Sequence, residues 1–408
     1  MRFNIWKDYE YMDLPDILSF IVDNRGKTVP TDVNGNHILI ATNCIRNENL
    51  YPSYDKVRLI GEDTYKNWFR AHPKPGDIIF VNKGTPGRVC MVPAPVDFCI
   101  AQDMIALRVK REIIYNKYLL AVLRSKKIQN QIAATTVGDV IPHFKKQQLR
   151  EIKIPVPPMK IQKVIGDYYF AFCEKEVINN KINRNLSEQM QAIFGSIFYS
   201  EMEKGNKASL GDYLYIKGRI GWKGLKKEEY LSESEYRIIN GESLTVTGID
   251  WNKAGYISDE RYIESPEIML QEGDILISKD GTIGKIGYVN KLDKPTSVAS
   301  GIFVVRNLKP EEVSTVFIYC LLNSDYFKSF IASRTEGSVI PHLYQKDFVT
   351  LEIPILSQEQ IELFNSTVVP LFELFFLNQT ENIRLAALRD SLLPKLMSGE
   401  LDVLDLDI

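Results

Sequence analysis

Cysteine and histidine are scarce in this chain, and neither is grouped. The five cysteines are scattered without a CxxC pair, and the four histidines show no HxxxH or HExxH spacing. An odd number of ungrouped cysteines in 408 residues is not the pattern of a disulfide framework or of a zinc site. We therefore expect reduced cysteines in the core, no structural metal and no cofactor.

Long hydrophobic runs are absent as well. No stretch approaches 18 consecutive apolar residues, and Met1–Glu10 (MRFNIWKDYE) lacks the apolar segment of a signal peptide. From these two absences we expect a cytoplasmic protein with no membrane partner.

The chain has little net charge, but its charges are unevenly distributed. Lysine and arginine number 50 against 52 acidic residues, and 45% of the residues are apolar, which is typical of folded domains rather than of disordered or histone-like chains. Residues 1–150 carry 22 basic and 15 acidic side chains, whereas residues 351–408 carry 3 and 10. A basic N-terminal third can attract nucleic acid, and an acidic C-terminal segment more often faces solvent or a protein partner.

Most of the chain is an internal repeat. GDIIFVNKGTPGRVCMV at 76–92 aligns with GDILISKDGTIGKIGYV at 273–289, at an offset of 197 and with seven identities in 17 positions. GDVIPHF at 138–144 aligns with GSVIPHL at 337–343 at an offset of 199, and an Ile-Pro pair follows each at the same offset. Three separated blocks in constant order argue against chance similarity of glycine-rich hairpins. Each copy therefore begins with a mixed α/β globular unit that contains a strand, a GTxG turn and a partner strand.

After each Ile-Pro the pattern changes to a long amphipathic helix. Pro157-Pro158 opens the first helix, and Ser357–Gln360 can form a capping box at the start of the second. Each helix is expected to run about 40 residues, or about 60 Å at about 1.5 Å per residue, ending near 195–205 and 394–399. Because this length exceeds a domain of about 150 residues, we expect the two helices to pair antiparallel rather than each to pack on its own unit, which is the alternative.

The apolar spacing of both helices predicts a coiled-coil seam that repeats at an offset of 199. The predicted seam positions are Ile165, Tyr168, Phe172, Lys175, Asn179, Ile182, Leu186, Gln189 and Ile193, and then Phe364, Thr367, Leu371, Leu374, Asn378, Glu381, Leu385, Leu388 and Leu392. Asn179 and Asn378 occupy matching positions near the middle of the helices. We therefore expect them to meet, because buried asparagine fixes the register of such a pair at some cost in stability.

The sequence gives little support to enzyme chemistry. Its two glycine clusters with a nearby cation, at 84–88 and 281–285, are too short for a P-loop. A nuclease interpretation could begin from Asp77 and the Glu151-Ile152-Lys153 triplet, since two carboxylates and a lysine can hold a divalent metal. The second copy keeps Asp274 but reads Leu351-Glu352-Ile353, so that the lysine is lost and the acid is out of phase.

Together, the organisation resembles the specificity subunit of Type I restriction-modification systems. The resemblance depends on the repeated GDI[IL]xxxxGTxG hairpin, the two VIPH blocks, the Ile-Pro before each long helix and LLPKLMSGEL at 392–401, and it covers essentially the whole chain. It implies two target recognition domains, each of which reads one half of a bipartite sequence in double-stranded DNA. It also implies helices that space these domains and dock methyltransferase subunits, through which endonuclease/translocase subunits join, and no catalytic residues in the chain itself.

The expected fold is therefore α+β, with two mixed α/β recognition domains joined by two long antiparallel helices in a coiled coil with a pseudo-two-fold repeat. The expected boundaries are 1–155 for the first recognition domain, 156–205 for the first spacer helix, 206–354 for the second recognition domain, and 355–408 for the second helix and tail. Two alternatives to a DNA-reading scaffold remain, a stand-alone DNA-processing nuclease and a structural coiled-coil adaptor.

DNA contacts are expected from loop lysines and arginines to phosphates, and from Arg, Asn, Gln or Lys to base edges. RIGWKGL at 219–225 in the second copy and NRGKTVP at 24–30 in the first differ, as suits two domains that read different half-sites. The candidate residues are Arg25, Lys27, Asn43, Arg46, Lys83, Arg88, Lys217, Arg219, Trp222, Lys223, Lys226, Lys227, Asn240, Lys279 and Lys285. For each of them a solvated surface charge or polar group is the alternative.

Overall fold

The computed structural model describes residues 4–24, 26–136, 138, 142–220, 224–335 and 342–401. The chain forms two compact units, one of residues 1–180 with 379–408 and one of residues 181–378. Each unit therefore contains part of both long helices, whereas the predicted boundaries assigned the helices to segments of their own.

In its described residues, unit 1 contains three sheets, one of them a single pair of strands, and two short α-helices before its first long helix. Its strands and helices are β1 Tyr11–Asp13, β2 Leu18–Val22, β3 His37–Ile40, β4 Arg58–Ile60, β5 Ile78–Val81, β6 Val89–Met91, β7 Phe98–Ile100, β8 Met104–Val109, α1 Asn116–Arg124, α2 Lys126–Thr135, β9 Lys153–Pro155 and the beginning of α3 Met159–Glu203. A four-stranded sheet has the order β2-β8-β5-β6, a three-stranded sheet has the order β4-β3-β7, and β1 pairs with β9.

Unit 2 repeats this plan. Its further elements are β10 Lys207–Ser209, β11 Leu214–Gly218, β12 Tyr236–Ile239, β13 Leu244–Thr245, β14 Gly248–Ile249, β15 Gly255–Ile257, α4 Asp259–Ile263, β16 Ile275–Ser278, β17 Ile286–Tyr288, β18 Thr296–Val298, β19 Ile302–Asn307, α5 Thr315–Asn323, α6 Asp325–Thr335, α7 Gln345–Val349, β20 Glu352–Pro354 and α8 Gln358–Ser398. The sheet orders β11-β19-β16-β17 and β15-β12-β18, and the β10–β20 pair, correspond strand for strand to those of unit 1. The repeat read from the sequence is therefore a repeat of topology.

The predicted hairpin is present in both units. β5 pairs antiparallel with β6, and β16 with β17. Gly87 and Gly284 in the connecting turns have φ values of +89° and +82°, and a Cβ there would lie 3.0 Å from Ile132 Cγ2 and 2.9 Å from Ile331 Cδ1. Glycine is favoured at both positions because the turn needs a left-handed backbone, and a Cβ there would also force the isoleucine side chain of a neighbouring helix to shift.

The two long helices have the expected lengths, 45 residues for α3 and 41 for α8. The predicted capping box opens α8, because Gln360 N donates to Ser357 Oγ at 3.3 Å and Ser357 N donates to Gln360 Oε1 at 2.8 Å. In unit 1, α8 ends against the start of the chain, where Ile5 N donates to Met397 O at 2.9 Å. The LLPKLMSGEL segment thus includes residues of the unit 1 core, Leu396 and Met397.

The buried positions of the helices agree only in part with the predicted seam. Ile165, Asn179, Leu186, Phe364 and Asn378 are buried as predicted, but six of the 18 predicted positions are exposed: Lys175, Ile182, Gln189, Thr367, Leu374 and Leu388. Buried residues outside the predicted seam include Tyr169, Cys173, Met190, Phe194 and Phe198 in α3 and Val368, Phe372 and Phe376 in α8. A straight helix drifts by about 20° per heptad from a 3.5-residue seam. The sheets and short helices of each unit also cover part of each long helix, as at Gly166, where a Cβ would lie 2.6 Å from Tyr118 N on α1.

The asparagines near the middle of the two long helices pair in a register that is shifted by four residues, about one helical turn, from the predicted one. In unit 1, Asn179 Nδ2 donates to Asn382 Oδ1 at 2.9 Å and to Glu381 Oε2 at 2.7 Å. In unit 2, Asn378 Nδ2 donates to Asn183 Oδ1 at 2.8 Å. Asn179 and Asn378 therefore take part in antiparallel pairing, but each bonds an asparagine four residues from the predicted partner. The two pairs are equivalent under the offset of 199.

Within the described residues, one helix, α8, is long and apolar enough to cross a membrane by length and composition alone. An 18-residue window within it has a mean hydropathy of 1.2, and 28% of that window is buried. A single helix of this kind is weak evidence for a span, because a core helix of a soluble protein passes the same test. Its apolar side chains are divided among the core of unit 2, which contains Phe364, Val368, Phe372 and Phe376, the core of unit 1, which contains Leu396 and Met397, and an exposed face described below.

Candidate nucleic-acid interface

Strand order in unit 1 brings the predicted DNA-contacting loops to one edge. The ends of β2 and β5 lie beside the start of β8, since Val22 pairs with Ala106 and Val81 with Met104. β3 and β7 are parallel, and Ala101 N, between β7 and β8, donates to the carbonyl of Ile40 at 3.0 Å. The segments after β2, β3 and β5 therefore leave the sheets at the same edge, which we call the loop edge of unit 1.

The loop edge of unit 2 is built in the same way. Gly218 at the end of β11 pairs with Phe303, and Ser278 at the end of β16 pairs with Ile302, both at the start of β19. Ala299 N donates to Ile239 O at 2.8 Å, which places the end of β12 at the same edge. Two candidate loops touch directly, because Lys285 Nζ donates to Gly241 O at 3.1 Å.

Most of the candidate cations in unit 1 are exposed. Lys27 is exposed, Lys83 lies 4.0 Å from Asp103, and Arg46 lies 3.2 Å from Asp55. Asn43 is exposed as well and donates to Asp55 O, while Arg88 is half-buried. Arg25 lies outside the described residues. Exposed ion pairs of this kind contribute little to stability, so these side chains can exchange their acidic partners for phosphates.

The candidates in unit 2 differ in their exposure and contacts. Lys226 and Lys227 are exposed, Lys217 Nζ lies 5.8 Å from the centre of the Tyr215 ring, and Trp222 and Lys223 lie outside the described residues. Lys279 Nζ lies 4.8 Å from the centre of the Phe303 ring, and burial lowers the pKa of its ammonium. Asn240 closes a turn, in which its Oδ1 accepts from Glu242 N at 2.9 Å and Ser243 N at 3.1 Å.

Arg219 differs from the expectation of a surface DNA contact. The side chain is 2% exposed, and its guanidinium donates to Val298 O at 3.2 Å, Ser265 Oγ at 3.3 Å and Ser297 Oγ at 3.4 Å. Burial lowers the pKa of Arg219. In this structure Arg219 anchors the base of the loop that follows β11 and does not present its charge to a ligand.

The aspartates considered for a nuclease centre form an ion pair with an arginine in both units, whereas Glu151, the other carboxylate considered, is exposed. Asp77 accepts two hydrogen bonds from Arg108, at 2.9 and 2.8 Å, and Asp274 accepts two from Arg306, at 2.7 and 2.8 Å. The bond to Asp274 raises the pKa of Arg306. In the described ranges there is no group of three His, Cys, Asp or Glu residues that could hold a metal. In each unit this aspartate therefore joins the two central strands of the four-stranded sheet through an ion pair.

The VIPH blocks lie against the hairpins. His143 and Lys83 form an isolated antiparallel bridge, and Gly84 N donates to Pro142 O at 2.9 Å. In unit 2, His342 Nδ1 bonds the carboxylate of Asp280 and its ring contacts Tyr344 edge-on. In both copies this histidine belongs to the loop edge. The remainder of the first block, Val140 and Ile141, lies outside the described residues.

The loop edge of unit 1 also contains amide side chains that the sequence did not single out. Asn24 Nδ2, Asn82 Oδ1 and Gln102 Oε1 are buried and have no hydrogen-bond partner in the described parts of the chain. Most buried side-chain polar atoms in proteins have such a partner. The signal in the sequence that marks this position is the divergence of VNK at 81–83 from SKD at 278–280 inside an otherwise similar block.

Comparison with known proteins agrees with this architecture. A family model described as the Type I restriction modification DNA specificity domain matches twice, over residues 6–188 and 201–364. The Type I restriction enzyme MjaIX specificity subunit of Methanocaldococcus jannaschii is 24% identical over 355 residues, covering 83% of this chain and 80% of that protein. The Type I restriction enzyme HindI specificity subunit of Haemophilus influenzae is 21% identical over 402 residues, covering 80% and 87%.

A solved structure shows the same fold. The S subunit of a Type I restriction-modification system from M. genitalium superposes with a TM-score of 0.58 at 19% identity, over 96% of each chain. Because the specificity-domain model matches both copies and most of the sequence, this chain belongs to the Type I restriction-modification DNA specificity family.

Proposed function

We propose that the chain is the DNA-sequence-specificity subunit of a Type I restriction-modification complex. The loop edges of the two units would each read one half of a bipartite target in double-stranded DNA. The observation that carries this proposal is the duplication of the specificity domain. The two copies have the same sheet topology, but the loops at the loop edge of each unit differ in sequence. Repeated scaffolds with different loops are suited to reading different half-sites.

The loop edges have the chemistry that DNA binding needs. Exposed lysines and arginines would neutralise phosphates and provide salt-dependent affinity, while amide and lysine side chains can read base edges. Arg46, Lys83, Lys226 and Lys227 are exposed and suit the first role. We expect no catalytic role for the chain, because the aspartates considered for a nuclease are engaged with Arg108 and Arg306.

The long helices supply a surface for a protein partner. Apolar side chains on α8 are exposed in unit 2, where Leu363 is 61%, Leu374 is 41% and Leu377 is 64% accessible, and their helical spacing places all three on one face. Isolated exposed leucines are normal, but a row of them along one helix is typical of an interaction surface. We assign this face to the methyltransferase subunits of the complex, through which endonuclease/translocase subunits would join. No membrane partner is part of the proposal.

Co-expression of the full chain with the methyltransferase encoded in its native host tests the assignment. Methylation-site mapping should yield one bipartite motif, and the purified chain alone should neither methylate nor cleave DNA in the presence of Mg²⁺. Replacement of residues 1–150 by the corresponding part of a relative should change one half-site only. Methylation or cleavage by the chain alone, or a change in both half-sites, would contradict the proposal.

A binding test addresses the partner surface separately. Changing Leu363 and Leu377 to Glu should abolish co-purification with the methyltransferase, because charge would replace the apolar contact. The matched control is Glu359→Gln and Glu362→Gln on the same helix, which should still co-purify. If both variants co-purify equally well with the methyltransferase, the methyltransferase does not bind this face.

A further inference from the structure

One position at the loop edge is built identically in the two units but carries different side chains. Asn82 and Lys279 are related by the offset of 197, and each directly follows its strand, β5 or β16. Asn82 N donates to Asp103 O at 3.0 Å, and Lys279 N donates to Gly301 O at 2.9 Å. Their carbonyls accept from Phe144 N at 2.7 Å and Leu343 N at 3.1 Å, directly after the VIPH histidines.

These bonds hold both backbone groups of residues 82 and 279. In each residue the N–H is bonded to the turn before the longest strand of the unit, β8 or β19, and the C=O is bonded to the residue that follows the VIPH block. A side chain there starts from a rigid platform at the centre of the loop edge. Such a residue can vary in identity without moving the scaffold, as a residue that determines specificity must.

Asn82 has unused hydrogen-bonding capacity. Its Oδ1 is buried without a partner in the described parts of the chain, and the same is true of Gln102 Oε1, one residue before the Asp103 carbonyl that holds Asn82. Asn24, on the neighbouring loop, is 6% exposed and has an unpartnered Nδ2, although its Oδ1 accepts from Arg70 N at 3.2 Å. Three neutral amides with buried and unpartnered donors or acceptors thus occur among the described residues of the loop edge of unit 1.

Lys279 provides a different chemistry at the same place. Its Nζ packs 4.8 Å from the centre of the Phe303 ring, and across the described ranges no carboxylate lies within 4.0 Å of it. The adjacent Asp280 is bonded to His342. The ammonium of Lys279 is therefore held over an apolar platform by its packing, with its donors uncommitted to an ion pair.

We propose that residues 82 and 279 are equivalent base-reading positions, with Asn82 reading an adenine in one half-site and Lys279 reading a guanine in the other. This inference rests on the proposed function. Adenine presents an N7 acceptor and an N6 donor in the major groove, which match an amide, whereas guanine presents two acceptors, N7 and O6, which match a lysine. A phosphate presents only acceptors, whereas an amide carries both a donor and an acceptor, so the unpartnered Oδ1 of Asn82 fits base recognition better than backbone contact.

Reciprocal exchange tests the assignment in the full chain, co-expressed with its methyltransferase. Asn82→Lys should replace adenine by guanine at one position of one half-site, and Lys279→Asn should do the reverse in the other half-site. Preference for the original base should fall about tenfold or more in each variant, as expected for loss of one good base contact. The readout is the methylation motif together with the extent of methylation at each near-cognate site.

Lys83→Asn is the matched control, because Lys83 is the exposed neighbour that we assign to a phosphate. It should weaken binding at all sites and leave the motif unchanged. If Asn82→Lys shows no cooperative thermal unfolding, and so is not folded, Asn82→Ser is used in its place. The Asn82→Ser variant should accept any base at the same position. An unchanged motif in the folded variant, or changes in both half-sites, would overturn the inference. A wild-type complex without a bipartite motif would instead overturn the proposed function.

Discussion

Asn378 on α8 donates a 2.8 Å hydrogen bond from its Nδ2 to Oδ1 of Asn183 on α3 within unit 2. Asn183 in turn donates from its Nδ2 to the carbonyl of Phe375 at 2.9 Å. Both side chains are buried, at 7% and 6% exposure. Removing one member of such a pair is therefore expected to cost more than removing both, since a buried polar atom without a partner is expensive.

Asn378→Leu should lower the free energy of unfolding by about 1–3 kcal/mol, because it leaves Asn183 Oδ1 without its donor. The double variant Asn183→Leu with Asn378→Leu should recover most of that loss, since apolar side chains then replace both partners. Denaturant midpoints of the four proteins of the cycle measure the effect. Asn185→Leu on the exposed face of α3 is the control, with a change within about 0.5 kcal/mol. A double variant that loses the sum of both single effects would contradict the pairing.

The ion pair of Arg389 with Glu176 joins the two long helices in unit 1. The Nη1 and Oε2 atoms are 3.3 Å apart, and both side chains are largely buried, at 9% and 14% exposure. Arg389→Met should destabilise the protein by about 3–5 kcal/mol, since it leaves a buried carboxylate without its partner. The double variant with methionine at both Glu176 and Arg389 should recover much of the lost free energy of unfolding. Arg184→Met, in an exposed pair with Glu188 at 84% and 64% exposure, should change stability by less than about 1 kcal/mol.

The Arg389→Met variant should also respond to pH. Burial raises the pKa of Glu176 above its ordinary value, and Arg389 counteracts this effect. Without the arginine the folded-state pKa of Glu176 rises further, so its ionised form is penalised in the folded protein. Acidification through that raised pKa relieves the penalty. The difference in stability between wild type and variant, measured by denaturant melts, should therefore shrink as the pH falls from 7 towards 5; a constant difference would show that Glu176 does not titrate in this window.

All five cysteines are free and buried, so their thiols should be unreactive in the folded protein. Burial raises the pKa of Cys90, Cys99 and Cys320 to about 12, and raises those of Cys44 and Cys173 as well. Because the thiolate is the reactive form, a thiol reagent at pH 8 should label few or no sites in native protein and five in guanidinium chloride. Rapid labelling of any of the three high-pKa thiols in native protein would contradict their burial.

The long helices should set the gap between the half-sites if they act as the spacer we propose. Insertion of four residues after Asn180 and four after Asn378 preserves the asparagine pairs and lengthens both helices by about 6 Å at about 1.5 Å per residue. The gap should grow by roughly one or two base pairs at about 3.4 Å each, with both half-sites unchanged. Each base pair also rotates the second half-site by about a tenth of a turn, so the measurement is the methylation motif of an active variant. An active variant with an unchanged gap would contradict the spacer role.

The sequence by itself determined the repeat, the hairpins and the long helices. These features depend on local chemistry: glycine at Gly87 and Gly284 for left-handed turns, Ser357 with Gln360 for a helix start, and apolar spacing sustained for about 40 residues. It also predicted that the two copies share one plan, and the strand order of one copy is repeated in the other. Such patterns are visible without knowledge of contacts between distant residues.

Only the tertiary structure decided which side chains those patterns bury. Arg219 reads as a surface cation in RIGWKGL, yet it bonds Val298, 79 residues away. Asn179 pairs with Asn382 rather than with Asn378 because antiparallel register depends on how each helix packs against its unit, and a 3.6-residue helix does not hold a 3.5-residue seam. The open amides of Asn82 and Gln102 are likewise products of packing, since burial and missing partners belong to the whole fold and to no local pattern.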